Sequence, residues 1–205
     1  MTIKEHRICE YYFSLVSPWA YLGHQRLINL AVQYDIKIDM KPLDIGQLYA
    51  VSGGVPLAKR APQRQAYRLQ ELQRWSDFLM IPINLQPAFF PVSGELAAKL
   101  LISAQLAHGT EAALNLSTHI MRALWSEQKN IGDENTLSAL AGQVEMDGAA
   151  LIKSAQIAGV ATQYQQYTQQ AIAANVFGVP WFVFEGQSYW GQDRLDFLER
   201  AFARL

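Results

Sequence analysis

Strand-like patterns occur only near the two ends of this 205-residue sequence, and that separation is the strongest constraint on its fold. The segment Ile8–Phe13 is aromatic and β-branched, and residues 36–43 alternate between apolar and polar. Near the carboxyl end, residues 177–184 and 188–190 show the strand pattern again, joined by a tight turn at 185–187. We therefore expect the two ends of the chain to share one sheet.

The chain between these ends has the pattern of helices. From residue 63 to 174 apolar residues recur at helical spacing, with breaks such as Gly109-Thr110, and no segment alternates like a strand. The element order is strand–helix–strand, a helical block, then strand–strand–helix. A βαβ and a ββα unit that share a sheet form the thioredoxin layout. We therefore predict an α/β, thioredoxin-like fold in which 8–62 and 175–205 form one discontinuous domain and 63–174 an all-helical insertion.

The first strand leads directly into a helix through Ser17-Pro18. Ser17 has the side chain of an N-cap, and Pro18 suits the first helical position because it has no backbone N–H to leave unpaired. The helix is predicted to extend over residues 18–34. Its free N–H groups and positive dipole end favour an anion beside the Ser17 hydroxyl. A capping role alone would also explain this serine, so the pattern leaves both interpretations open.

Composition excludes several classes of function. The formal net charge of −1 gives no reason to expect nucleic acid, and no apolar run approaches the ~18 residues of a membrane-spanning helix. The segment 1–7 is charged and lacks the apolar region of a signal peptide, which predicts a cytoplasmic protein. The single cysteine, Cys9, lies in a predicted strand, and we interpret it as a small buried hydrophobic residue. One cysteine and four histidines without metal spacing predict no disulfide and no metal site.

A basic segment precedes the helical block. Residues 44–62 are rich in glycine and proline near their end and are predicted to form a loop. Lys59, Arg60 and Arg64 place three positive charges within a short span. These charges are either a solvated surface or a clamp for a carboxylate ligand.

Four segments together resemble a known family: Ser17-Pro18-Trp19-Ala20-Tyr21-Leu22, Gln73-Arg74-Trp75, Phe177-Gly178-Val179-Pro180 and Trp190-Gly191-Gln192-Asp193-Arg194-Leu195. Their order is similar to that in the 2-hydroxychromene-2-carboxylate isomerases, DsbA-like thioredoxin folds related to the kappa-class glutathione transferases. In the DsbA-like group Cys-x-x-Cys begins the first helix, and a cis Val-Pro bond faces it. Here Ser17 and Ala20 replace the two cysteines, so disulfide chemistry is lost.

The resemblance implies a glutathione-dependent cis–trans isomerase that acts on an aromatic-derived conjugated carboxylate by reversible addition of the glutathione thiolate. Ser17 would be the catalytic residue, because its hydroxyl and the helix dipole stabilise a thiolate. Val179, before a cis Pro180, would bind the cysteinyl backbone like an added strand. Asp193 would pair with the γ-glutamyl ammonium group; a role as N-cap of the last helix is the alternative, and the two roles can coexist. The other cofactor-binding positions implied are Gly54, Arg64, Gly191 and Gln192.

Substrate contacts follow from the same resemblance. Lys59 and Arg60 occupy the region that contacts the acidic substrate, and the aromatic walls would be Trp19, Tyr49 and Phe89. The sequence departs from the family in having glycines at 53–54 instead of Asn, and Arg64 instead of Lys.

The expected partners are a small-molecule substrate and a second copy of the chain in a homodimer, with no nucleic acid and no membrane. Two other functions stay open at this point. One is a kappa-like transferase or peroxidase that consumes glutathione, and the other is a non-catalytic thioredoxin-like binding module.

Overall fold

A four-stranded sheet joins the two ends of the chain. The computed structural model describes residues 7–204, and the strand order in the sheet is β2-β1-β3-β4. The outer pairs differ: β1 and β2 are parallel, whereas β3 runs antiparallel to both β1 and β4. The strands are β1 (Ile8–Phe13), β2 (Lys37–Pro42), β3 (Trp181–Phe184) and β4 (Gln187–Trp190). This order and polarity confirm the predicted thioredoxin-like sheet.

Helices make up most of the remaining described chain, and the section predicted as helical contains six of them and no strand. They are α1 (Pro18–Gln33), α2 (Ile45–Ser52), α3 (Pro62–Leu79), α4 (Glu95–His108), α5 (Thr110–Trp125), α6 (Glu134–Gly142), α7 (Gly148–Ala155), α8 (Ala158–Ala173) and α9 (Leu195–Phe202). Short 3-10 helices lie at Leu57–Lys59 and Gln192–Arg194.

The predicted loop at 44–62 is wrong over its first half, which forms α2. The Asp44 carboxylate accepts hydrogen bonds from two backbone N–H groups of the first turn, at 2.8 and 3.2 Å. Gly53 ends the helix with a φ of 75°, and Leu48 is buried beneath it. The interpretation as a loop rested on the later glycines and prolines and overlooked the Asp44 cap.

The core continues from the sheet into the helical block. One face of β1 carries Cys9, Tyr11 and Phe13, all fully buried in a cluster that also contains Leu27 of α1 and Leu101 of α4. Burial raises the pKa of the Cys9 thiol far above its ordinary value, which is consistent with its interpretation as a buried hydrophobe. The division into a thioredoxin-like domain and an insertion stays a prediction.

Three further predictions concern the location of the protein, membrane-spanning helices and metal sites. The segment 1–6, which carries most of the argument for a cytoplasmic location, lies outside the described residues. None of the helices in 7–204 combines the length and the apolar composition needed to cross a membrane. Over the same range, no three His, Cys, Asp or Glu side chains come together as a group that could hold a metal ion.

Candidate active site

Ser17 lies at the junction of β1 and α1, where the sequence predicts an N-cap. Its backbone is extended (φ −91°, ψ 118°), and its Oγ accepts a hydrogen bond from the Ala20 N–H at 3.2 Å. Pro18 occupies the first turn, and Ser17 is 9% exposed. The N-cap is therefore present. It holds a hydroxyl at the positive end of a 16-residue helix whose first N–H groups have no intrahelical acceptor.

A cis peptide bond between Val179 and Pro180 faces this hydroxyl, as the resemblance implies. The Ser17 Oγ donates to the Val179 carbonyl oxygen across 3.4 Å, although the two residues are 162 positions apart. The Pro180 carbonyl oxygen accepts from the Gly191 N–H at 2.9 Å. These two contacts bring the start of α1, the cis-proline turn and the turn after β4 into one place.

The turn after β4 holds three of the residues expected to bind glutathione. Gly191 has a φ of 100°, a left-handed conformation that favours glycine. Gln192 is 2% exposed, and its Oε1 accepts from the Arg26 Nη1 at 2.7 Å. Asp193 pairs with Arg194 at 3.2 Å. Arg194, and not Asp193, is the N-cap of α9, so the alternative role of Asp193 as that cap is wrong.

The basic side chains around the start of α3 do not all converge. Arg60 donates through Nε to the Val55 carbonyl oxygen at 2.7 Å, and its Nη2 lies 3.4 Å from the Tyr49 hydroxyl. Lys59 and Arg64 are exposed and form no ion pair within the described part of the chain. The structure therefore joins Arg60 to Tyr49 and leaves the other two cations at the surface.

The remaining expected residues lie around this segment. A Cβ atom on Gly54 would lie 2.0 Å from the Tyr49 Cδ1, so the glycine makes room for the tyrosine ring. Trp19 is half-buried in the first turn of α1. Phe89 is exposed in the crossing between α3 and α4. The roles assigned to these side chains toward substrate or glutathione stay predictions.

Comparison with known protein families agrees with this arrangement. A family model described as a DSBA-like thioredoxin domain matches residues 8–203. The chain belongs to the DsbA-like thioredoxin family. Ser17 and Ala20 stand at the helix start, at the two positions where the resemblance described above implies the Cys-x-x-Cys of the DsbA-like group.

Individual relatives show which members of the DsbA-like family this chain is similar to. It is 29% identical over 191 residues to 2-hydroxychromene-2-carboxylate isomerase of Sphingobium xenophagum. The matched region covers 93% of this chain and 95% of that isomerase. It is 24% identical over 202 residues to glutathione S-transferase kappa 1 of Rattus norvegicus, covering 94% and 89%. A solved structure of 2-hydroxychromene-2-carboxylate isomerase superposes with a TM-score of 0.81 at 26% identity, covering 96% and 95%. The similarity inferred from the four motifs is confirmed.

The DsbA-like structure adds one cation that the sequence analysis did not select. Arg68 on α3 is half-buried, and its Cζ lies 5.9 Å from the centroid of the Phe90 ring. Burial, and after it the positive charge of Arg60, together lower the pKa of the Arg68 guanidinium to about 10. Arg64 and Arg68 are four positions apart within α3, and this helical spacing was the signal that could have identified Arg68.

Arg26 is a second residue that sequence reasoning missed. Its Nη1 donates to both the side-chain and the backbone oxygen of Gln192, at 2.7 and 3.2 Å, and its Nη2 pairs with Asp196 at 3.2 Å. Arg26 therefore fixes the turn after β4 against α1. No local pattern could identify it, because the partners are more than 160 residues away in sequence.

Proposed function

We propose that this chain is a glutathione-dependent cis–trans isomerase of an aromatic-derived conjugated carboxylate, similar to 2-hydroxychromene-2-carboxylate isomerase. The observation that carries the proposal is the Ser17 hydroxyl, fixed at the start of α1 and directed at the cis Val179–Pro180 turn. The isomerases and the kappa-class transferase to which the chain is similar support it.

The groups at the helix start fit a glutathione thiolate. The Ser17 hydroxyl can donate a hydrogen bond to an anion, and the positive end of α1 attracts one. Cys9 is buried on the apolar face of β1, so its thiol is not available for disulfide exchange. When bound, glutathione supplies a thiolate that adds reversibly to a conjugated double bond and leaves again after rotation. Ser17 and the dipole lower the pKa of that thiol. Val179 and Pro180 orient the peptide, and the basic side chains near α3 hold the substrate carboxylate.

The proposal is tested by titrating reduced glutathione into the wild-type protein and into Ser17→Ala by calorimetry, while thiolate absorbance is followed against pH. The wild type should bind glutathione, and the pKa of the bound glutathione thiol should lie below the ordinary value of about 8.5. Ser17→Ala should lose that lowered pKa. Ser93→Ala is the matched control, because its Oγ also accepts from a helix-start N–H, that of Glu95. Absence of glutathione binding to the wild type would overturn the proposal and favour a binding module.

A kappa-like transferase or peroxidase is the second candidate, and the similarity to glutathione S-transferase kappa 1 supports it. Product analysis separates the two. An isomerase returns glutathione unchanged, whereas a transferase yields a stable thioether and a peroxidase yields oxidised glutathione.

We further propose that the functional form is a homodimer. The outer face of α3 and the residue after it present exposed apolar side chains, namely Tyr67, Phe78 and Met80. Sedimentation of the wild type should give twice the mass of one chain, and Phe78→Glu should shift the equilibrium toward monomer. A monomeric wild type at micromolar concentration would contradict this proposal.

A further inference from the structure

We propose that Arg68, together with Arg60 and the Tyr49 hydroxyl, forms a binding subsite for the carboxylate of an aromatic acid whose ring packs on Phe90. This inference rests on the proposed function and names the residues that would select its substrate class. Arg68 replaces Lys59 as the principal cation, because Lys59 projects from the surface.

The first argument is that Arg68 carries a charge without a carboxylate partner. None of the ion pairs between residues 7 and 204 includes Arg68, although the side chain is half-buried. The acidic residue one turn further along α3, Glu71, is already paired with Arg74. A desolvated guanidinium without a counter-charge is unfavourable in the free protein and is stabilised when an anion binds.

The second argument is that the neighbouring donors are fixed in place. Arg60 is held by its bond to the Val55 carbonyl oxygen, and Gln65 Nε2 donates to the Arg60 carbonyl oxygen at 2.7 Å. Gln65 precedes Arg68 by one helical turn, so both side chains lie on the same side of α3. The guanidinium groups of Arg60 and Arg68 therefore share one region with the Tyr49 hydroxyl. The two positive charges favour an anion between them.

The third argument concerns the aromatic part of the ligand. Phe90 lies beside the Arg68 guanidinium and packs against Trp125 with ring centroids 4.9 Å apart. The segment that follows returns to the helix start, because Gly94 lies against Val16, the residue before Ser17. The chain from Phe90 to Gly94 thus leads from the proposed ring contact to the residue beside Ser17. An acid whose ring and carboxylate bind near Phe90 and Arg68 would present its conjugated bond toward Ser17.

The test uses cinnamate, a conjugated aromatic carboxylate, and the neutral cinnamamide as its matched probe. By calorimetry, cinnamate should bind the wild type more tightly than cinnamamide, and Arg68→Gln should remove the difference by weakening cinnamate about ten- to hundredfold. Arg68→Lys should recover only part of it, because an ammonium cannot form the bidentate contact. Arg74→Gln, on the same helix but paired outward with Glu71, should bind both probes like the wild type.

Glutathione is titrated in parallel, because its own glycyl carboxylate is an alternative ligand for Arg68. Unchanged glutathione affinity in Arg68→Gln supports the substrate subsite, whereas lost glutathione affinity with intact cinnamate binding overturns it. Equal binding of cinnamate and cinnamamide by the wild type overturns the proposed subsite. This comparison needs no variant, so the subsite can be tested even if Arg68→Gln fails to fold. Failure of the wild type to bind glutathione while cinnamate selectivity persists would reject the proposed function and leave the subsite standing.

Discussion

At the scale of single residues, Ser17 has a structural role that can be measured without any ligand. Its Oγ satisfies the Ala20 N–H, and loss of an N-cap costs about 1 kcal/mol. We expect Ser17→Ala to lower the free energy of unfolding by this amount in urea denaturation. Ser17→Thr, which keeps a hydroxyl, should retain most of it. If Ser17→Ala is as stable as the wild type, the cap contributes nothing, and the side chain is free for ligand chemistry alone.

A second prediction at this scale concerns Gly54, which the Tyr49 ring overlies. Gly54→Ala should destabilise the protein by about 1–3 kcal/mol, because the new methyl group would lie 2.0 Å from a ring carbon. The neighbouring Gly53 has open space but a φ of 75°, so Gly53→Ala is strained for a different reason.

A double-mutant cycle separates the two causes. In a Tyr49→Ala background the steric conflict at residue 54 disappears, so Gly54→Ala should cost little. The cost of Gly53→Ala should persist, because it is set by the backbone. An unchanged cost of Gly54→Ala in that background would mean that the ring is not the obstacle.

At the scale of elements, close packing of α1 on the turn after β4 depends on Gly23. In an open helix, Ala is more favourable than Gly by about 1 kcal/mol. Here a Cβ would lie 2.8 Å from the Gln192 Cβ, so overpacking of about 1–3 kcal/mol should outweigh that gain. Gly23→Ala should therefore have a lower urea midpoint than the wild type. Gly159→Ala in α8, with nothing within 4 Å of its Cβ position, should be neutral or stabilising, and a similar gain at Gly23 would contradict the packing.

The elements that sequence predicts well are those whose signals are local. The aromatic run of β1, the Ser17 cap and the proline after it lie within a few residues, and the predicted β1 has the observed bounds. The α2 helix was missed because its cap, Asp44, competes with strong loop signals a few residues later. The Arg26–Gln192 pair and the Arg68–Phe90 contact were not predicted, because they depend on how distant elements pack.

At the scale of the whole molecule, a buried histidine connects β1, α1 and α5. His24 Nε2 contacts the Leu114 carbonyl oxygen at 3.2 Å and the Ser117 hydroxyl at 2.7 Å, and its Nδ1 lies 3.2 Å from the Tyr11 hydroxyl. A carbonyl oxygen only accepts, so this network assigns the single proton of the neutral ring to Nε2. Burial lowers the pKa of His24 to about 4, and the neutral ring is therefore the form that the fold stabilises.

This depressed pKa predicts how stability depends on pH. An unfolded histidine has a pKa of about 6.5, so between pH 6.5 and 4 the unfolded chain binds a proton that the folded protein does not. The contribution of neutral His24 is complete above about pH 6.5 and is lost as the pH falls toward 4, with a limiting slope of about 1.4 kcal/mol per pH unit. His24→Gln should remove this part of the slope in urea denaturation measured across that range. Parallel curves for the wild type and His24→Gln would mean that protonation of His24 is not what weakens the fold in acid.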